Sequence, residues 1–225
     1  MNTEDDILPV DKPVGWTSFD VVAKIRGKIR AEYTAKGKKP TKKQLRVGHA
    51  GTLDPFATGL LIILLGEGCK KADEFLKLDK TYEFTAKLGE ISTTGDPEGE
   101  LTQTEDRKPE IEEVKTALGQ FKGEITQIPP AFSAIKVDGK RAYKLAREGK
   151  EVVIPPRQVT IFRLELIDYN YPYLKCVCDV SSGTYIRTLV EDIGKALNTG
   201  AYCQQLRRTR IAKYSIEDAI SIDKI

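Results

Sequence analysis

One histidine, His49, stands in a chain of 225 residues, beside one tryptophan, one methionine and four cysteines. So small a stock of imidazole and thiol leaves little from which to build a structural zinc site, which needs Cys and His ligands at recurring spacings. Cys69, Cys176, Cys178 and Cys203 show no such spacing, and Cys176 and Cys178, two apart, would share one face of a strand. They read as reduced packing residues. Long apolar runs are also missing: Leu60 to Leu65 spans six residues, whereas a membrane helix needs about 20. The acidic opening Glu4-Asp5-Asp6 does not suit a signal peptide. A cytoplasmic protein without a membrane partner is expected. Net charge is nearly absent too, since 36 Lys and Arg against 33 Asp and Glu give +3.

The distribution of charge says more than its sum. Lys36, Lys38, Lys39, Lys42, Lys43 and Arg46 lie together with no acid among them. A second set, Lys136, Lys140, Arg141, Lys144, Arg147, Lys150 and Arg157, has a few acids interspersed, and a third is Arg207-Arg208-Thr209-Arg210. Three separate basic patches fit a phosphate backbone, because affinity for nucleic acid comes largely from neutralising phosphates and releasing counterions.

Periodicity supplies the elements. Val22, Ile25 and Ile29 recur at helical spacing, with Ser18 as N-cap and an end near Tyr33. Residues 34–46, basic and containing Gly and Pro, read as a mobile loop. Leu60 to Leu65 is a buried strand, and a short helix near Cys69 to Leu76 follows. In Thr81 to Leu88 the alternation puts Tyr82, Phe84, Ala86 and Leu88 on one inward face. Gly95-Asp96-Pro97-Glu98-Gly99 is a turn, and Ile111, Val114, Leu118 and Phe121 mark another helix. An Asp138-Gly139 hairpin turn and a basic helix from about Arg141 to Glu148 fall within residues 125–156, which read as a small projecting unit that clamps RNA. Strands are expected over Val159 to Tyr169 and Lys175 to Val180. The period then changes, so that Ile186, Leu189, Val190, Ile193 and Leu197 share a helical face with Arg187 in the first turn. Helices alternating irregularly with strands predict an α+β fold with a mixed, largely antiparallel sheet.

Three residues carry chemistry. In Gly48-His49-Ala50-Gly51-Thr52-Leu53-Asp54-Pro55-Phe56-Ala57-Thr58-Gly59, glycines free the backbone while Pro55 biases Asp54 toward an extended conformation. One carboxylate is thus held on a constrained loop. Arg187 opposes the dipole of its own helix, so a carboxylate or phosphate partner is the natural compensation. A paired arginine keeps a buried aspartate ionised, and an inward aromatic such as Tyr82 can stack on a base extruded from folded RNA.

That loop resembles the catalytic motif of the TruB family, the tRNA pseudouridine-55 synthases. The likeness extends along nearly the whole chain, through Asp11-Lys12-Pro13-Val14-Gly15-Trp16-Thr17-Ser18, Lys80-Thr81-Tyr82-Glu83-Phe84, Ile128-Pro129-Pro130-Ala131-Phe132-Ser133-Ala134-Ile135-Lys136, Ser182-Gly183-Thr184-Tyr185-Ile186-Arg187 and Leu206-Arg207-Arg208. The resemblance implies the pseudouridine synthase fold, with Asp54 as the nucleophile at uracil C6 or ribose C1′. Tyr82 would stack on the flipped base and serve as general base, and Arg187 would pair with Asp54. His49 would enter the T loop, and Leu206 would pack in the base pocket. Lys12, Lys38, Lys39, Lys42, Lys43, Lys136, Lys140, Arg141, Arg147, Arg207 and Arg208 are expected RNA contacts. No cofactor or metal is implied.

Most bacterial members carry a further C-terminal RNA-binding PUA domain, whereas this sequence ends at Ile225. Residues 1–225 are therefore expected to be a single catalytic domain, monomeric, acting on the T arm of tRNA without an obligate protein partner. The basic 34–46 loop would supply phosphate contacts in place of the further domain. Two readings compete: a guide-dependent synthase of the Cbf5/dyskerin kind, and a tRNA-folding chaperone that needs no chemistry.

Overall fold

The computed structural model describes residues 7–104, 107–133, 135–137, 139–150 and 152–225, with the side chains of 136, 137, 143 and 147 outside the description. In chain order the strands are β1 (Ile7–Lys12), β2 (Val47–Ala50), β3 (Thr58–Leu65), β4 (Lys80–Leu88), β5 (Glu90–Ser92), β6 (Leu101–Gln103), β7 (Gly123–Gln127), β8 (Lys136–Val137), β9 (Lys140–Arg141), β10 (Arg157–Asn170), β11 (Tyr173–Val180), β12 (Ala201–Ile211), β13 (Tyr214–Ser215) and β14 (Ile220–Ser221). The helices are α1 (Ser18–Ala35), α2 (Ala72–Leu76), α3 (Ile111–Gly119), α4 (Ala142–Arg147) and α5 (Ile186–Ala196). The chain is α+β with a mixed, largely antiparallel sheet, and none of the described helices is long and apolar enough to cross a membrane. Two compact units divide it, Met1–Thr81 with Arg207–Ile225, and Tyr82–Leu206.

The first unit is built on β3. Its run Thr-Gly-Leu-Leu-Ile-Ile-Leu-Leu is buried at every position after Thr58, as expected of a strand covered on both faces. β1 pairs antiparallel along one edge, from Ile7 opposite Leu64 to Lys12 opposite Gly59. The other edge takes β2, antiparallel from Val47 opposite Leu65 to Ala50 opposite Ile62, and Arg207 and Arg208 of β12, parallel to Thr58 and Gly59. Helix α1 buries Val21, Val22, Ile25 and Ile29. Its N-cap is Thr17, one residue earlier than expected, in a capping box: Thr17 Oγ1 accepts from the Asp20 amide and the Asp20 carboxylate accepts from the Thr17 amide. Ser18 is inside the helix because its hydroxyl bonds Leu53 instead.

Of the expected basic loop 34–46, residues 34 and 35 belong to the last turn of α1 and 36–46 follow it with hydrogen-bonded turns. Gly37, at φ +66°, lets the Lys38 amide return to the Tyr33 carbonyl and close α1. The Leu45 amide then donates to the Thr41 carbonyl, and Arg26 donates to the carbonyls of Leu45 and Val47.

The second unit carries strands in the order β4, β11, β10, β7. The expected alternation of β4 holds, with Tyr82, Phe84, Ala86 and Leu88 buried. On β11, Cys176 and Cys178 share the buried face, and burial pushes the Cys176 thiol up to about 12 and Cys178 in the same direction. Helix α5 buries the expected Ile186, Leu189, Val190 and Ile193, and α3 packs on β10. The expected hairpin is β8 paired with β9. Residues 134, 138 and 151 of the expected clamp lie outside the described residues. Strands β1, β2 and β12 had no counterpart in the sequence expectations.

Candidate functional site

The glycine-rich stretch contributes at both ends to strands, so the true loop is residues 51–57. Two glycines are required by geometry. Gly51 and Gly59 have φ of +89° and +102°, and a Cβ on Gly59 would lie 2.3 Å from the Arg208 carbonyl oxygen. That contact is backbone against backbone and cannot be relieved by a rotamer.

Asp54, half-buried, sits between two fixed peptides. On one side Ser18 Oγ accepts from the Leu53 amide at 2.8 Å and donates to the Leu53 carbonyl at 3.0 Å. On the other, the Pro55 carbonyl accepts from the Gly15 amide at 2.8 Å and from Lys12 Nζ at 3.3 Å. The Ala57 amide closes the turn on the Asp54 carbonyl at 3.1 Å. The backbone on both sides of the carboxylate is therefore anchored to the β1–α1 connection.

Two cations expected to touch RNA point inward. Lys12, with no exposure, donates to the carbonyls of Pro13, Trp16 and Pro55. Arg208 is 1% exposed and donates to the carbonyls of Leu60 and Gly51. Side chains so enclosed do not present charge to a phosphate backbone, and both act as supports of the Asp54 loop. Lys80 behaves similarly: it donates to the carbonyls of Phe75, Leu76 and Leu78, and burial with the neighbouring Arg208 lowers its ammonium to about 8.

The remaining expected contacts divide. Arg207 is half-buried and grips Asp11 with both Nη atoms, at 3.2 and 2.8 Å. Lys38, Lys39, Lys42 and Lys43 are exposed, and Lys43 lies 3.4 Å from Glu67. Lys140 and Arg141 are exposed on β9, whereas the side chains of Lys136 and Arg147 lie outside the described residues. His49 is half-buried on β2 opposite Ile63. Leu206 is buried in β12.

In the second unit Tyr82 is buried at the start of the inward face of β4. Arg187, 3% exposed, donates through Nη1 to the Thr94 carbonyl at 2.7 Å and to Asp96 Oδ2 at 3.0 Å, and through Nη2 to the Phe132 carbonyl at 2.8 Å. Asp96 is the residue that sequence reasoning missed, having taken it only for a turn position. The available signal was an acid between Gly95 and Pro97 in a chain with an arginine in need of a carboxylate. Its other oxygen accepts from Thr94 Oγ1 and the Glu98 amide, which fixes the carboxylate in place. Glycine is favoured here by the backbone: Gly95 has φ +73°, and beside it lies Glu191 Oε1, whose carboxyl burial holds above its usual range.

The turn leading into α5 is held as firmly. The Gln127 side-chain amide, 1% exposed, pairs with both the N–H and the C=O of Tyr185. Arg157 lies over the Tyr185 ring at 4.6 Å and donates to the Gly183 carbonyl.

Residues 38–186 match the TruB family pseudouridylate synthase (N terminal domain), and residues 187–225 match the tRNA pseudouridylate synthase B C-terminal domain. Similar curated proteins include tRNA pseudouridine synthase B of Aquifex aeolicus, 40% identical over 98% of this chain and 73% of that one. That of Phocaeicola vulgatus is 45% identical over 98% of this chain and 91% of its own length. Among solved structures, a chain of a Cbf5-Nop10-Gar1 complex aligns with a TM-score of 0.73 at 26% identity, covering 99% of this chain and 55% of that one.

Proposed function

The chain belongs to the TruB family of pseudouridylate synthases, an isomerase family acting on RNA, and we propose that its target is uridine 55 in the T loop of tRNA. In this reading the protein is a monomeric cytoplasmic enzyme that flips the uridine out of the loop, with His49 entering the RNA in its place. Asp54 attacks, at uracil C6 or ribose C1′. The N1–C1′ bond breaks, the retained uracil turns, C5 bonds to C1′, and the bond formed to Asp54 breaks with its electron pair returning to the carboxylate. The C5 proton leaves to a base and N1 gains one, so substrate and product are isomers and no electrons are exchanged with a third species. Tyr82 stacks on the base and takes the C5 proton, Leu206 lines the base pocket, and Arg187 pairs with Asp54 to keep it ionised.

The observation that carries this reading is the anchoring of Leu53 and Pro55 on either side of Asp54. A nucleophile gains most from being held at one attack geometry. The test is release of tritium from tRNA labelled at uracil C5, with the modified position mapped. Release from unmodified tRNA alone, lost in Asp54→Asn, is the expected result; no release by the unaltered protein would overturn it.

The likeness to a Cbf5 chain keeps a guide-dependent reading in view. Activity on isolated tRNA without guide RNA separates the two. A folding chaperone would be indifferent to Asp54→Ala, whereas this reading expects modification to vanish while tRNA folding is retained.

A further inference from the structure

We infer that Arg208 is a positioning residue for Asp54, tying together the two ends of the loop that carries it; this rests on the reading of Asp54 as nucleophile. Arg208 Nη2 bonds the Gly51 carbonyl at 3.0 Å, where the loop leaves β2, and Nε bonds the Leu60 carbonyl at 2.7 Å, just past the point where the chain re-enters β3. One planar guanidinium thus sets the separation of the loop's ends. A lysine ammonium cannot reproduce two bonds in a fixed fork.

The surroundings are built for this contact. The position of a Cβ on Gly51 lies 3.5 Å from Arg208 Nη1, so the guanidinium packs directly against that backbone. Gly59, with the 2.3 Å approach of its Cβ position to the Arg208 carbonyl oxygen, lets β12 come close enough for the side chain to reach back to Gly51. The parallel pairing there involves Arg207 with Thr58 and Arg208 with Gly59. Arg208 and Gly59 therefore act as one device. Ser18 and Lys12 hold the middle of the loop, and Arg208 holds its ends. A nucleophile displaced by about 1 Å can lose on the order of 100-fold in rate, so a loosened span should register in the chemical step before it registers in RNA binding.

The test compares the unaltered protein with Asp54→Asn, Arg208→Lys, Gly59→Ala and the Arg208→Lys/Gly59→Ala double variant. For each, single-turnover tritium release, tRNA affinity and the native fraction at the assay temperature are measured, with rates taken per folded molecule. Arg208→Lys should slow the chemical step about 10- to 100-fold with tRNA affinity unchanged. Gly59→Ala should do the same, and the double variant should be little worse than either, as for residues acting through one contact. A wild-type single-turnover rate in Arg208→Lys, a slower rate matched by weaker tRNA binding, or fully additive effects in the double variant would each overturn the inference. Should Asp54→Asn remain active, the failure lies instead with the assignment of the nucleophile.

Discussion

Arg187 and Asp96 form a buried ion pair, Nη1 to Oδ2 at 3.0 Å, with side chains 4% and 5% exposed. The arginine's fork is further fixed by the carbonyls of Thr94 and Phe132, so its orientation is set by three separate groups of the chain. Removing Asp96 takes away a fixed counter-charge from a guanidinium that is itself buried. Asp96→Ala should therefore destabilise the protein by about 3–5 kcal/mol, read by urea denaturation. Asp96→Asn, which keeps an oxygen acceptor, should lose less. In both, tritium release per folded molecule should fall, because Arg187 is no longer held in one pose. Unchanged stability in Asp96→Ala would count against the pair as a structural anchor.

Lys80 gives a pH dependence whose sign is fixed by its burial. Its ammonium, ordinarily near 10.5, is lowered to about 8 by desolvation and by Arg208. Between those values the unfolded chain binds more protons than the folded one, so this group's contribution to stability rises with pH from about 8 to about 10.5 and is flat below 8. The full swing is about 3 kcal/mol. The raised thiols of Cys176 and Cys178 act oppositely above their ordinary 9.0, but they are common to any Lys80 variant. The stability difference between the unaltered protein and Lys80→Met should accordingly grow in favour of the former as pH rises through this window. Parallel profiles from urea unfolding at several pH values would refute it.

Why the cations were hard to read follows from where their partners lie. Asp54, Tyr82 and Arg187 stand out locally: a proline and glycines frame the first, period-two alternation turns the second inward, and a change of period puts the third at a helix start. Lys12, Arg207 and Arg208 have no such local mark. Arg208 reaches the Leu60 carbonyl across a sequence separation of 148, through a strand register that no short window contains. The run Gln204-Gln205-Leu206-Arg207-Arg208-Thr209-Arg210 also has the composition of an exposed surface, which hid β12 as a strand. Asp96 was masked differently, by glycine and proline neighbours that already explained it as a turn.

The exposed lysines of the 36–46 segment make a salt-dependent prediction. Lys38, Lys39, Lys42 and Lys43 face solvent, and only exposed cations can release counterions from a phosphate backbone. Changing all four to Gln should weaken tRNA binding and reduce the slope of log affinity against log salt by about one for each phosphate left without its lysine. Lys43, 3.4 Å from Glu67, should contribute least. The exposed substitutions should leave the thermal midpoint nearly unchanged. An unaltered slope would remove this segment from the RNA interface.

Ser18 offers the sharpest separation of loop geometry from fold. It is 2% exposed, and its single hydroxyl both accepts from and donates to the peptide groups of Leu53, immediately before Asp54. Ser18→Ala leaves that buried N–H and C=O without these partners, at about 1–3 kcal/mol. Ser18→Thr keeps the hydroxyl, and its extra methyl meets a packed helix start. The α1 cap itself belongs to Thr17 and Asp20, so helix formation survives either change. Ser18→Ala should then slow tritium release per folded molecule, and Ser18→Thr should recover part of that rate even where its packing lowers stability. If the two variants lose activity only in proportion to their loss of native protein, the hydroxyl serves the fold and not the placement of Asp54.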